Sequence, residues 1–156
     1  MKKINITFEQ DETLENIDVL VRASEEDSEI TALYERIDPA EHTAVAVSDI
    51  NGVQEMIPAS EIILLSVNGK QVSVITKDNR YTARKPLNAI EAVLDPGRFV
   101  RISRYEIVNL TKIVKYDFTL GGTLRIELMG GMETWASRRC IPQIRRRLSG
   151  RRDTDA

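Results

Sequence analysis

The chain has 156 residues, of which 42% are hydrophobic and 29% charged, and its formal net charge is −2. This composition is typical of one soluble globular domain, or a domain with a small extension, that can bury its own core. A single cysteine excludes an internal disulfide, no apolar run approaches the ~20 residues of a membrane span, and the N-terminus lacks a signal peptide, so we predict a cytoplasmic protein.

Opposite charges are concentrated in opposite parts of the chain. Residues 1–56 contain four Lys or Arg and fourteen Asp or Glu, a net charge of −10. Residues 57–156 contain eighteen Lys or Arg and ten Asp or Glu, a net charge of +8. A basic region of this size is typical of a protein that binds a polyanion. The near-neutral total therefore conceals a candidate nucleic-acid-binding region.

The acidic N-terminal part is predicted to form a small β-β-α extension. Apolar and polar residues alternate over residues 3–9, and residues 17–21 form an apolar, β-branched run, which is the pattern of two strands. Ser24 is a suitable N-cap, and apolar residues at helical spacing from Ile30 to Ile37 predict an amphipathic helix. Its acidic outer face is either a solvated surface or a docking face for a basic partner.

From residue 43 onward, short strands separated by turn residues predict a mostly β fold. The first two hairpins turn at Asn51-Gly52 and Asn68-Gly69, because glycine tolerates the positive φ of a tight turn. Strands are predicted at residues 43–48, 53–57, 61–67, 71–76, 80–85, 99–107, 112–118, 123–129 and 132–137, and helices at 86–94 and 138–152.

Residues suited to catalysis or metal binding are scarce. The chain has one histidine, His42, and one cysteine, Cys140, which excludes a Cys/His zinc site and argues against a Ser-His-Asp triad. It has neither a P-loop nor a GxGxxG motif. We interpret His42 as a surface loop residue and Cys140 as a small buried side chain. The prediction is a protein that is not an enzyme and needs no metal or cofactor.

Basic and other polar residues interrupt the apolar pattern of residues 98–109. Strand alternation places Arg101 on the same face as Phe99, which predicts a bend or an edge near solvent, with Arg104 close to the exposed end. Asn109 lies between Val108 and Leu110. We interpret its amide as a structural group that holds backbone by hydrogen bonds rather than as a base reader.

Basic residues near predicted loops are the candidates for contact with nucleic acid. They are Arg84 and Lys85 before the short helix, Arg104 in the segment 99–107, and Arg138, Arg139 and Arg145 around the start of the last helix. The planar fork of arginine can bind phosphate or the edge of guanine with two hydrogen bonds, which lysine cannot do. Arg145 can equally lie on a solvated helix face.

Several short segments occur in an order that points to a known family. They are Glu61-Ile-Ile-Leu-Leu-Ser66 with Asn68-Gly69, Tyr81-Thr-Ala-Arg-Lys-Pro-Leu87 with Ile90, Phe99-Val-Arg-Ile-Ser-Arg104, Ile107-Val-Asn109 with Ile113, and Ser137-Arg138-Arg139. In this order they resemble the LytTR family of bacterial DNA-binding domains. The resemblance covers roughly residues 57–148.

The resemblance implies an elongated antiparallel β-sandwich with a short helix and a C-terminal helix, and without a helix-turn-helix. It implies that loop side chains enter the major groove of DNA. The implied contacts come from the loop at Arg84 and Lys85 and from the junction that holds Trp135, Ser137, Arg138 and Arg139. Arg139 falls where the family places a base-reading arginine.

The predicted organisation is an acidic extension over residues 1–56, a DNA-binding domain over 57–150 and a disordered tail over 151–156. The N-terminal part is too short for a receiver domain, so the chain resembles stand-alone LytTR regulators. That resemblance implies a homodimer on direct repeats of double-stranded DNA and control by a membrane-bound inhibitor protein. The extension is then a candidate for dimerisation or for docking of that inhibitor.

Three functions are compatible with the residues. The first is a sequence-specific transcriptional regulator that binds double-stranded DNA. The second is a protein-interaction adaptor whose acidic half docks a basic partner, without DNA binding. The third is a binder of RNA or single strands, which the low aromatic content of 5% disfavours because few side chains can stack on bases.

Overall fold

A computed structural model describes residues 5, 7–13, 19–25, 28–37, 43–119 and 121–149. Its helices are α1 (Ser28–Ile37), α2 (Leu87–Val93) and α3 (Ile141–Ser149). Its strands are β1 (Ala44–Ser48), β2 (Gln54–Pro58), β3 (Leu64–Asn68), β4 (Gln71–Ile75), β5 (Arg80–Ala83), β6 (Phe99–Arg101), β7 (Glu106–Asn109), β8 (Ile113–Phe118), β9 (Leu124–Leu128) and β10 (Met132–Ala136).

The strands form two antiparallel sheets. The large sheet has seven strands in the order β2-β1-β5-β4-β3-β7-β6, and the small sheet has three in the order β10-β9-β8. Strand β1 pairs with β5, with Val47 opposite Ala83. The large sheet therefore continues from the basic part of the chain into the end of the acidic part. The division of the chain at residue 56 stays a prediction, and it would cut through β2.

Both faces of the large sheet are covered, which makes a three-layer arrangement. Leu64 and Leu65 are successive residues of β3 and are both buried, so they point to opposite faces. Leu65 belongs to a cluster that includes Ile90 of α2. Leu64 belongs to a second cluster that includes Ile126 of the small sheet. The mostly β fold class with antiparallel sheets is confirmed.

The predicted N-terminal strands are absent from the described residues of that region. Residues 5, 7–13 and 19–21 contain no strand, and Phe8 is 86% exposed. A strand needs a partner for its backbone groups, so alternation alone does not produce one. The other residues of those two predicted strands lie outside the described part, as do His42 and the tail 151–156.

The predicted amphipathic helix is confirmed as α1, although its described start is Ser28. Ser24, the predicted N-cap, lies in a bend outside that helix. The predicted C-terminal helix is confirmed as α3, but it begins at Ile141 because residues 138–140 form a turn. Its apolar stripe is buried as predicted, at Ile141, Ile144 and Leu148.

The prediction of one strand over residues 99–107 is wrong. The chain reverses there and forms β6 and β7, which pair with each other through Val100 and Val108. The reversal is stabilised by Arg101, whose Nε donates to the carbonyl oxygen of Ser103 at 2.9 Å. A side chain that binds the backbone of the following residues favours a turn over an extended chain.

Asn109 holds the backbone, as its position in the sequence predicted. Its side chain is 1% exposed, and its Nδ2 donates to the carbonyl oxygen of Ile62 at 2.8 Å. Its Oδ1 accepts from the backbone N–H of Thr111 at 3.0 Å and from the Thr111 hydroxyl at 2.7 Å. The amide thereby joins the start of β3 to the 3₁₀ turn Leu110–Lys112.

Replacing Asn109 by alanine is expected to lower the free energy of unfolding by about 1–3 kcal/mol, because the buried carbonyl of Ile62 and the N–H of Thr111 lose their partner. Chemical denaturation measures this change. Asn79→Ala is the control, since Asn79 is exposed in the β4–β5 turn. Equal stability of the two variants would contradict the structural role of Asn109.

Candidate nucleic-acid interface

Three basic segments meet at one end of the large sheet, around the β6–β7 turn. The backbone N–H of Ser137 donates to the carbonyl oxygen of Ile102 at 2.7 Å, so the segment after β10 lies against this turn. The N–H of Val67 donates to the carbonyl oxygen of Tyr105 at 2.8 Å, which adds the end of β3. We call this region of the surface the basic end. It carries Arg84, Lys85, Arg104, Arg138 and Arg139.

Arg101 connects the β6–β7 turn to helix α2. Its Nη2 donates to the carbonyl oxygen of Arg104 at 2.6 Å, in addition to the bond from Nε to Ser103. Its Nη1 donates to Asn88 Oδ1 and to Glu91 Oε2, each at 3.0 Å. Because α2 begins just after Arg84 and Lys85, this one guanidinium relates two of the basic segments to each other.

The loop between β5 and α2 carries the first pair of candidate residues. Arg84 and Lys85 form a bend directly after β5, and both are exposed. Ala83 and Leu87, on either side of the loop, are buried in the cluster on the α2 face. Both ends of this short loop are thus anchored in the core, which limits where its two basic side chains can reach.

The turn between β10 and α3 carries the second pair. Arg138 and Arg139 are exposed and lie in the turn 138–140. The Ser137 carbonyl oxygen accepts from the N–H of Cys140 at 2.9 Å, and the Ser137 hydroxyl donates to Cys140 Sγ at 3.2 Å. Half-buried Ser137 and Cys140 therefore stabilise a turn that presents both arginines to solvent.

Arg104 and Trp135 present exposed side chains beside these segments. Arg104 is exposed at the tip of the β6–β7 turn, rather than near the end of a single strand, and its guanidinium carbon is 5.9 Å from the centre of the Tyr105 ring. Trp135 is 52% exposed on the outer face of the small sheet, since its neighbours Thr134 and Ala136 are buried. Both side chains are free to contact a large ligand.

Arg145 lies farther along α3 and packs on another element. Its guanidinium carbon is 4.6 Å from the centre of the Phe118 ring, within the range of a cation–π contact. It shares with Arg138 an open depression of about 800 Å³, which is lined by Gly121, Gly122, Arg138, Ile141, Pro142, Arg145, Arg146 and Ser149. Arg145 therefore borders the basic end and is oriented by Phe118.

The arginines of the basic end are not neutralised by carboxylates of the described chain. The ion pairs between described residues are Arg98–Asp95, Arg101–Glu91 and Arg125–Glu133. None of them involves Arg84, Arg104, Arg138 or Arg139. The positive charge of these four side chains is therefore available to an anionic partner.

Sequence reasoning missed the role of Arg101. The signal was present, because Arg101 falls on the same strand face as buried Phe99. A charged residue at an inward position needs partners for its donors, so it predicts a specific set of acceptors nearby. The acceptors on α2 could not be identified, because nothing in the sequence places that helix over this strand.

Metal-binding clusters and membrane-spanning helices are absent from the described residues. These residues contain no group of three or more His, Cys, Asp or Glu side chains that could hold a metal ion. None of their helices is long and apolar enough to cross a membrane. The Thr13 hydroxyl and backbone N–H bind the carboxylate of exposed Asp11 and lower its pKa, which is the behaviour of a turn residue.

Comparison with known proteins identifies the fold and the family. The family model described as the LytTr DNA-binding domain matches residues 53–149. A structure described as the LytTr DNA-binding domain of a putative methyl-accepting/DNA response regulator from Bacillus cereus aligns with a TM-score of 0.64 and 22% identity. The alignment covers 68% of this chain and 96% of that one.

Other relatives match along almost the whole of both chains. Proteins named uncharacterized HTH-type transcriptional regulators, from Staphylococcus aureus strains NCTC 8325 and N315, are each 29% identical over 149 residues, covering 96% of this chain and 99% of theirs. The described part of this chain has no helix-turn-helix, because five strands separate α1 from α2 and another five separate α2 from α3. A match over more than half of the chain and the shared fold lead to one conclusion: this protein belongs to the LytTR family and carries a LytTR DNA-binding domain.

Proposed function

We propose that the protein is a sequence-specific transcriptional regulator that binds double-stranded DNA with its basic end. The observation that carries this proposal is the set of hydrogen bonds that brings the turns at residues 84–85, 103–105 and 137–139 together. Their unpaired arginines suit the phosphates of a duplex, which supply most of the affinity and make it depend on salt. The names of the relatives agree with regulation of transcription.

Base recognition is assigned to the turn that holds Arg138 and Arg139. Two exposed arginines on a firmly bonded turn can enter the major groove and bind guanine O6 and N7. In this proposal Arg84, Lys85, Arg104 and Arg145 contact the backbone on either side, and Trp135 packs against the sugar–phosphate chain. Ser137 holds the turn through its bonds to Ile102 and Cys140.

The proposed functional unit is a cytoplasmic homodimer on direct repeats, held inactive by a membrane-bound inhibitor protein. A protein contact is supported by the β1–β2 hairpin, where Ile50 is 96%, Met56 62% and Val53 56% exposed. Exposed apolar side chains that cluster on one hairpin are a common feature of docking sites. The same hairpin favours a second candidate function, an adaptor that binds a protein and not DNA.

Selection of bound sites from a random duplex library tests the proposed function. A regulator is expected to enrich one motif, and the spacing of repeats within the enriched duplexes gives the arrangement of the dimer. If the protein is an adaptor, no motif is expected to be enriched and no duplex to be retained at low salt. A binder of single strands would be recognised by preferential competition from RNA.

A further inference from the structure

Beyond the residues that would touch DNA, we propose that Arg101 is a positioning residue, which fixes the turn of Arg104 relative to the loop of Arg84 and Lys85. The inference rests on the proposed function and concerns the geometry of the same basic end. Arg101 makes four hydrogen bonds, two to carbonyl oxygens of the turn and two to side chains of α2.

The contacts of Arg101 are arranged as a bridge between two elements. Its side chain is 23% exposed, and its donors are directed at acceptors of the protein rather than at solvent. The carbonyl groups of Ser103 and Arg104 fix the turn, while Asn88 and Glu91 fix the first and second turns of α2. Only a planar, multiply donating guanidinium can satisfy acceptors on two sides at once.

The bridge has a consequence for recognition. The tip of the turn carries exposed Arg104, and the Ile102 carbonyl in the same turn binds the segment that leads to Arg138. If the turn lost its bonds to α2, these basic side chains would all still be present, but the distances between them would no longer be fixed. The charges of these basic side chains would be unchanged, and the fit to one particular DNA site would be lost.

Hydrogen exchange without DNA tests the bridge itself. In Arg101→Ala, amides of residues 102–106 are expected to exchange faster than in the wild type, while β8–β10 exchange at the wild-type rate. Arg125→Ala is the matched control, because Arg125 is also a partly exposed arginine in one ion pair, on the small sheet. Unchanged exchange at 102–106, or a uniform increase over the whole domain, would overturn the inference.

DNA binding tests the consequence for recognition. The ratio of affinities for a duplex selected by the wild type and its scrambled version is expected to fall about tenfold in Arg101→Ala, the scale of one lost bidentate contact. The slope of log affinity against log salt should stay unchanged, whereas a residue bound to one phosphate contributes about 0.9 to that slope. A shallower slope in Arg101→Ala would make Arg101 a phosphate contact and refute its positioning role, as would a wild-type affinity ratio.

Two further variants keep the inference testable. Arg101→Lys retains the charge but cannot span the four acceptors, so it is expected to behave like Arg101→Ala, and full rescue would overturn the argument. If Arg101→Ala does not fold, the combined Asn88→Ala and Glu91→Ala variant removes only the link to α2. It is expected to reduce the affinity ratio at constant slope, and a wild-type ratio would refute the inference.

If the wild-type protein binds no duplex, the proposed function is refuted instead. Hydrogen exchange then still decides whether Arg101 holds the turn.

Discussion

Ile144→Ala is expected to lower the free energy of unfolding by about 2–5 kcal/mol, the usual cost of removing a buried isoleucine side chain beyond Cβ. Ile144 is 0% exposed and lies in the cluster that joins α3 to both sheets. The variant loses apolar burial and leaves a cavity between layers that cannot fully close. Equilibrium unfolding in urea measures the difference.

Gln143→Ala is the matched control for this prediction. Gln143 precedes Ile144 in the same helix and is exposed, so its replacement is expected to change stability by less than about 0.5 kcal/mol. Because α3 follows the turn of Arg138 and Arg139, loosening of the helix should also weaken DNA binding. Similar stability of the two variants would show that α3 contributes little to the second core.

Arg139→Ala is expected to weaken binding to a selected duplex by about 1–3 kcal/mol, which is the discrimination provided by one bidentate contact to a base. Binding to a scrambled duplex should weaken less, since only a backbone contact or general attraction is lost there. Titration of both duplexes at one fixed salt concentration measures the two changes. Equal losses would reassign Arg139 to the DNA backbone.

Lys77→Ala is the control for Arg139→Ala. Lys77 is exposed in the turn between β4 and β5, at the opposite end of the large sheet from Arg84. This substitution removes the same formal charge as Arg139→Ala. Its expected small effect on DNA affinity therefore measures long-range attraction alone. The difference between the two variants then isolates the local contribution of Arg139.

Much of the β fold follows from local signals in the sequence. The hairpins at Gly52 and Gly69 were predicted from Asn-Gly, and both glycines adopt the positive φ that this turn requires. The alternation that buries Leu124, Ile126 and Leu128 likewise predicted β9. These elements depend on contacts between residues close in the chain, and such contacts can be inferred from pattern alone.

The wrong and missed predictions concern contacts between residues that are far apart in the chain. The alternation of residues 3–9 looked like a strand, yet its described residues have no partner strand. The reversal after Arg101 depends on a side chain that binds α2 and the backbone after it, so periodicity could not reveal it. Sheet order is equally nonlocal, because β1 pairs not only with β2, its neighbour in sequence, but also with β5.

For the candidate site, the sequence supplied a set of candidate residues but not their arrangement. Arg104, Arg138 and Arg139 were identified from their type and their place near loops, and the structure brings their turns together through the Ile102–Ser137 hydrogen bond. The resemblance to a family indicated which loops to consider. The support beneath them, above all Arg101, required the packing of α2 on the large sheet.

Two charge-matched variants give the most direct test of the claim that the basic end binds duplex DNA. One replaces Arg84, Arg104, Arg138 and Arg139 by glutamine, and the other replaces Lys77, Arg80, Lys112 and Lys115, which lie outside the basic end. Affinity for a selected duplex is measured over a range of salt concentrations. The first variant is expected to lose most binding and to show a slope shallower by about 1.8, at 0.9 for each of the two lost phosphate contacts of Arg84 and Arg104, while the second keeps a slope near that of the wild type. Equal losses in the two variants would contradict the account, because binding would then follow total charge rather than the surface on which the turns meet.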